Sequence, residues 1–391
     1  MSLKLLICCP ISLDAHLGAA RVSIQVAQAM SACGWEVTLL DDGAVTDRLR
    51  DLHLATDGPY QERLRRFLQR VSGDYDVIEY EHWCLPFPRE EFSASTLMVA
   101  RSVLLHLYEE IQFPRFNRLQ DRMKRLLRGG RKDVWNATFR DLAEKTLRQA
   151  DLINVSNSRD AELLGDLGYP DRKIIVQPYA ISAESAAAFQ AIDLDARRNP
   201  SVVFLGSFDP RKGGPDLPVI FANIAAKIPS VTFHLLGTAG LFQSAGEVLS
   251  VFPRRLRPRL RVIPRFTGSE LPGLLGSLSL GVFPSYLEGF GFAVLEQLAS
   301  GLPVVAYDSP GPSDILPREW LVSRGDAQAL AERAISLLSD ERLLHTARHL
   351  AHVHASKFSW SAIGASTSAC YQASLTAVRD SNSAHFFPRS S

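Results

Sequence analysis

The sequence has almost no surplus charge. Its 43 lysines and arginines meet 42 aspartates and glutamates, a formal net charge of +1, which argues against nucleic acid as a general partner. Cysteine is scarce and odd in number, five in all with no metal-like spacing, so a disulfide framework is excluded and a reducing cytoplasm fits. Cys8 and Cys9 fall within an apolar strand pattern and are expected in the core. No apolar run approaches the ~18 residues of a membrane-spanning helix. The opening "MSLKLLICCP" holds a lysine and a short apolar run, which invites comparison with an export signal. The run is very short, no small-residue cleavage site follows cleanly, and Asp14 interrupts, so no such signal is expected.

What is present is a chain of 391 residues, 46% hydrophobic and 22% charged. That balance belongs to a soluble globular protein long enough for two domains. Short apolar runs alternate with helical patterns. "LKLLICCP" reads as a strand, and residues 20–33 as a helix with Val22, Val26, Ala29 and Cys33 on one face. Gly34 ends that helix and "WEVTLLD" follows as the second strand. Further strands are expected at 75–81, 97–106, 151–156 and in "KIIVQPY". The rhythm restarts at "SVVFLG" (201–206), a helix follows it, and strands are expected at 231–237, 259–265, 278–285 and 302–308. Strand, helix, strand at this spacing predicts parallel sheets with helices on both faces. The expected plan is an α/β protein. Residues 1–181 form one Rossmann-like domain, 182–200 a linker, and 201–357 a second such domain, with 327–355 helical. Residues 358–378 form a final helix and 379–391 a disordered tail.

In doubly wound sheets, ligands bind beyond the carboxyl ends of the strands. Four loops follow from that rule. After the first strand, Gly18 stands just ahead of a helix, where amides and the helix dipole suit an anion. It is a single glycine, not the three of a dinucleotide fingerprint, and a plain helix-start glycine explains it equally. After Gly206, "SFDPRKGGPDL" sets Arg211 and Lys212 before Gly213-Gly214 and a helix. Two fixed cations there suit a diphosphate, although a solvated basic turn has the same composition. A third loop follows the strand ending in His106. The fourth, "YLEGFGFAVLE" (286–296), puts Glu288 in a loop and Glu296 about one turn into the next helix. Ionised carboxylates only accept hydrogen bonds, which suits sugar hydroxyls. Gly289 and Gly291 let the backbone approach a ligand closely.

"EGFGFAVLE" followed by "ASGLPVVAYDSPGPSDI" resembles the E-x7-E signature of retaining glycosyltransferase family 4. "FLGSFDPRKG", "ADLINVSNSRDAELL" and the His106 strand occur in that family's order, so the resemblance covers roughly residues 3–375. It implies the GT-B fold, with two Rossmann-like domains facing across a cleft and the final helix crossing back to the first. It also implies sugar transfer from a nucleotide-sugar to an acceptor hydroxyl with retained configuration and no metal or other cofactor. Position by position, Glu296 resembles the glutamate that binds the donor ribose and Glu288 the one that contacts the donor sugar. Gly289, Phe290 and Gly291 would offer amides to sugar and phosphate. Lys212, helped by Arg211, would neutralise the leaving diphosphate. His106 would sit beside the transferred sugar and Gly18 near the phosphates. The family's arginine after the first strand of the second domain is Ser207 here, so Arg211 is expected to replace that phosphate contact. The common P-N-G-I before the linker reads "PYAI" (178–181).

Two other readings keep part of this pattern: a sugar-nucleotide epimerase or phosphorylase-like enzyme of the same fold, and a non-catalytic nucleotide-sugar-binding subunit. Turnover of labelled donor separates them. Residues 114–132 carry Arg118, Arg122, Arg125 and Arg128 among apolar residues at helical spacing. A solvated basic face accounts for this, and so does contact with anionic lipid or a lipid-linked acceptor. The expected partners are a nucleotide-sugar and a sugar or lipid-linked acceptor, without nucleic acid. The expected location is cytoplasmic, with possible peripheral attachment to the inner membrane face.

Overall fold

The computed structural model describes residues 2–14, 18–116, 131–196 and 198–386, with the side chains of 131–136 and 381–386 set aside. The chain divides into two units: Met1–Tyr108, Arg128–Tyr179 and Ser359–Ser391 form the first, and Glu109–Leu127 with Ala180–Phe358 the second.

The first unit is built on six parallel strands in the order β2-β1-β3-β4-β5-β6. They are β1 (Lys4–Cys8), β2 (Glu36–Leu40), β3 (Val77–Glu81), β4 (Leu97–Arg101), β5 (Leu152–Val155) and β6 (Ile174–Val176). Every residue of β4 and β5 is buried, as expected for parallel strands covered on both faces. Cys8 and Cys9 are buried, and burial pushes both thiols up. The first helix runs Gly18–Ala32 with Val22, Val26 and Ala29 buried. Cys33, expected on the same face, lies past the helix end and is exposed. Gly34 there takes φ +87°, the left-handed turn that stops the helix.

Strand β4 ends at Arg101, earlier than the expected end at His106. Arg101 belongs to a buried polar cluster. It gives two hydrogen bonds to Glu79 of β3, at 2.6 and 2.8 Å. Tyr371 of the final helix donates to the same carboxylate, and Asn154 of β5 donates to the Tyr371 hydroxyl at 3.1 Å. A bidentate pair with its remaining acceptor satisfied is the form in which opposite charges tolerate burial. The final helix spans Trp360–Phe386, so 379–386 continue a helix where a disordered tail was expected.

The second unit has six parallel strands in the order β12-β11-β10-β7-β8-β9. They are β7 (Ser201–Leu205), β8 (Thr232–Leu236), β9 (Leu260–Ile263), β10 (Leu280–Phe283), β11 (Val304–Tyr307) and β12 (Leu321–Val322). The stretch expected as a linker holds a helix, Ala183–Gln190, capped by the Ser182 hydroxyl. The helical stretch 327–355 is two helices, Ala327–Ser339 and Glu341–Ala355. Asp340 separates them and accepts from the Arg342 and Leu343 amides. Glu109–Leu127, expected with the first domain, groups with the second unit. Aromatic packing explains its described part: the Phe116 ring lies 5.3 Å from Phe208 and 5.0 Å from Phe242, and Phe113 stands edge-on to Tyr286.

Candidate active site

Strands β11, β10 and β7 are neighbours in the second sheet, and the loops at their carboxyl ends meet. The loop after β7 is a turn knitted by Asp209. One carboxylate oxygen accepts from the Lys212 amide at 2.9 Å and the other from the Ser207 hydroxyl at 2.5 Å. Gly213 has φ +72°, and a Cβ there would lie 2.0 Å from the Pro284 carbonyl oxygen. Only glycine lets the β7 loop press so closely against the end of β10.

That contact brings Lys212 to Glu288. The ammonium stands 2.6 Å from Glu288 Oε1, and Arg211 Nη1 stands 3.4 Å from the same oxygen. The Ser285 hydroxyl donates to it at 2.5 Å, and Arg211 also donates to the Leu287 carbonyl at 2.7 Å. Glu288 is 7% exposed. Burial is the largest influence on its carboxyl and would raise it, but Lys212, Arg211 and Ser285 together hold it below the usual carboxylate range. Burial, with Arg211 adding, brings the Lys212 ammonium below its ordinary value against the pull of Glu288.

The loop after β11 closes the other side. A Cβ at Gly311, φ +87°, would meet the Phe290 carbonyl oxygen at 2.6 Å and Glu288 Cβ at 3.0 Å. Gly291 takes φ +104° and starts the Phe292–Ala299 helix. The positive end of that helix thus adjoins the Glu288 loop. Gly289 and Phe290 are buried, and Glu296 is half-buried within the helix.

Sequence reasoning missed the brace beneath this loop. Tyr286 and Tyr307 both donate to Asp216 Oδ2, at 2.8 and 2.9 Å, with their rings perpendicular. Burial raises the Asp216 carboxyl above its ordinary value against the opposing pull of the two phenols. The signal was the aspartate in "GGPDLP", directly ahead of a helix.

In the first unit His106 lies in the loop after β4 and is exposed. Its ring stacks on buried His82, centroids 5.3 Å apart, and its Nδ1 faces His82 Nε2 at 3.3 Å. His82 Nδ1 in turn faces Glu81 at 3.2 Å. The histidine pair was not anticipated; an acid and a histidine adjacent at the end of β3 were its only sequence mark. Gly18 is the first residue of its helix and exposed, and a Cβ there would touch nothing within 4 Å, so the fold does not demand glycine. Arg118, Arg122, Arg125 and Arg128 lie outside the described residues.

Two six-stranded parallel sheets with helical cover, and strand-end loops that gather paired charges, define a protein of the GT-B fold. Residues 199–340 match the family of glycosyl transferases group 1. The chain is 24% identical over 390 residues to the phosphatidyl-myo-inositol mannosyltransferase of Mycolicibacterium smegmatis, covering 93% of this chain and 92% of that protein. It is 30% identical over 251 residues to a D-inositol 3-phosphate glycosyltransferase of Mycobacterium sp., covering 61% of this chain and 55%, about half, of that relative. Among solved structures, sucrose-phosphate synthase from Thermosynechococcus elongatus has the same fold, with TM-score 0.67 at 19% identity over 96% of this chain and 100% of that one. Anabaena HepE in complex with UDP-glucose matches with TM-score 0.63 at 18% identity over 95% and 100%. The chain is a glycosyltransferase.

Proposed function

We propose that the sugar comes from a nucleotide-sugar and that transfer proceeds with retention of configuration and without a metal ion in the reaction. The observation that carries this reading is the Lys212–Glu288–Arg211 cluster beside the start of the Phe292–Ala299 helix. Departure of a nucleoside diphosphate develops negative charge on phosphate. Two cations and a helix end already fixed in place stabilise that charge without a metal. Glu288 is a poor covalent nucleophile, because its carboxylate is shared between Lys212, Arg211 and the Ser285 hydroxyl. Attack on the same face, with the departing phosphate taking the proton of the acceptor hydroxyl, then accounts for retention. Glu288 is assigned to the donor sugar, Glu296 to the ribose, and Gly289, Phe290 and Gly291 to backbone contacts. Arg211 is assigned the phosphate contact that Ser207 cannot make, since the Ser207 hydroxyl already donates to Asp209. Gly18 and His106 are assigned roles in the first unit, near the phosphates and the sugar.

Two of the relatives are named for inositol acceptors, which supports a polyol hydroxyl near a phosphate as the acceptor, free or lipid-linked. The test is turnover of labelled UDP-, GDP- and ADP-sugars with inositol phosphate and phosphatidylinositol, with and without chelator. The anomeric configuration of the product is read by NMR. Retained configuration and unchanged kcat in chelator are expected. An inverted product, or activity that returns only with added metal, overturns this assignment. Donor hydrolysis or epimerisation without acceptor favours the epimerase or phosphorylase-like alternative.

A further inference from the structure

The Glu341–Ala355 helix presents His345 and His349, four positions apart and both exposed. Residues at that spacing share a helix face. Asp195, from the segment ahead of β7, lies against them. Its Oδ1 is 2.8 Å from His345 Nε2 and 3.0 Å from His349 Nε2. One ligand atom from each residue lies within 4.8 Å of the others.

The segment that carries Asp195 is seated by other contacts. Leu194 Cδ2 fills the place a Gly301 Cβ would need, 2.3 Å away. Arg348 donates to the Ala196 carbonyl at 3.3 Å, and Arg198 to the Leu278 carbonyl at 3.0 Å. The three donor atoms are thus assembled by packing that does not depend on them. Two imidazoles converging on one carboxylate oxygen form a set that zinc accepts readily. Tetrahedral zinc with bonds of about 2.0–2.1 Å holds its ligand atoms roughly 3.3 Å apart. The atoms at 2.8 and 3.0 Å need only separate by a few tenths of an ångström.

We propose that Asp195, His345 and His349 bind Zn2+ and so staple the segment ahead of β7 to the Glu341–Ala355 helix. Each imidazole coordinates through Nε2 and carries its proton on Nδ1, and water completes the coordination. Cu2+ and Ni2+ compete for the same donors, as ligand softness and the affinity order of these metals require. None of the three residues belongs to the loops after β7, β10 or β11. The site therefore acts on stability and leaves sugar transfer unchanged.

The experiment uses tag-free protein stripped of metal with chelator and dialysed. It is titrated with Zn2+ alone by calorimetry and followed in parallel by thermal unfolding. One saturable site is expected, with a Tm rise of about 5 °C when Zn2+ stands about 100-fold above Kd. His345→Ala and His349→Ala are each expected to weaken binding about 10-fold or more and to abolish the Tm rise. His354→Ala, on the same helix, keeps both. Co2+ in place of Zn2+ gives visible bands in the parent protein and none in His345→Ala. Both histidines are exposed, so their replacement is expected to leave the fold intact. No saturation at millimolar Zn2+, or equal binding by parent and both variants, overturns the site.

Discussion

Glu288 is the residue on which the charged cluster of the proposed site converges. Its buried carboxylate pairs with both Lys212 and Arg211, so its removal takes an acidic partner from each. Lys212→Ala is expected to lower kcat by about 100-fold, as loss of a donor to a developing oxyanion does. Wild-type turnover in that variant would detach Lys212 from the diphosphate. Because the folded Glu288 carboxyl lies below its unfolded value, its stabilisation is fully present above about pH 4.3. It is lost as pH falls through the folded value. Glu288→Gln should therefore flatten the acid side of the stability–pH curve while sparing the alkaline side. A curve that keeps its acid limb unchanged would place the ionised carboxylate elsewhere. In the first unit, His106→Ala should reduce kcat without a comparable loss of stability, because the ring is exposed. Equal rates for His106→Ala and the parent would return that histidine to the surface.

Elements were legible where their pattern was long enough to repeat. The β7, β10 and β11 strands read directly as apolar runs, and the Phe292–Ala299 helix could be placed from Gly291, Gly301 and Pro303. Strand β12 has two residues and offers no period to detect. His106 was drawn into β4 because "SVLLH" is as apolar as the strand it follows; the chain leaves the sheet after the Ser102 amide bonds the Asn154 carbonyl. The Lys212 and Glu288 side chains were named from sequence, but their contact was not, since it depends on how closely two loops approach. Gly213 sets that approach. Gly213→Ala must leave φ +72° or push Pro284 away, and is expected to cost about 2 kcal/mol or more in stability. Equal Tm values for parent and variant would show that the loop gives way easily.

For the whole molecule, the basic segment 114–132 allows a direct test of membrane attachment. Each basic residue near an anionic bilayer contributes about 1 kcal/mol. Co-sedimentation should therefore require anionic vesicles, weaken with salt, and fall when Arg122, Arg125 and Arg128 become glutamine. Recovery in the supernatant under every condition would leave the segment as solvated surface. The Glu79–Arg101–Tyr371–Asn154 cluster also has a consequence for synthesis. Tyr371 meets partners 270 and 292 positions earlier in the chain, so those contacts cannot form until Tyr371 itself has left the ribosome. The second unit's sheet, from β7 to β12, is complete well before that. The unit begun first is thus finished last. Its nascent sheet waits with a guanidinium and a carboxylate facing water, and chain termination just before Tyr371 would leave an already folded second unit attached to a first unit that cannot close.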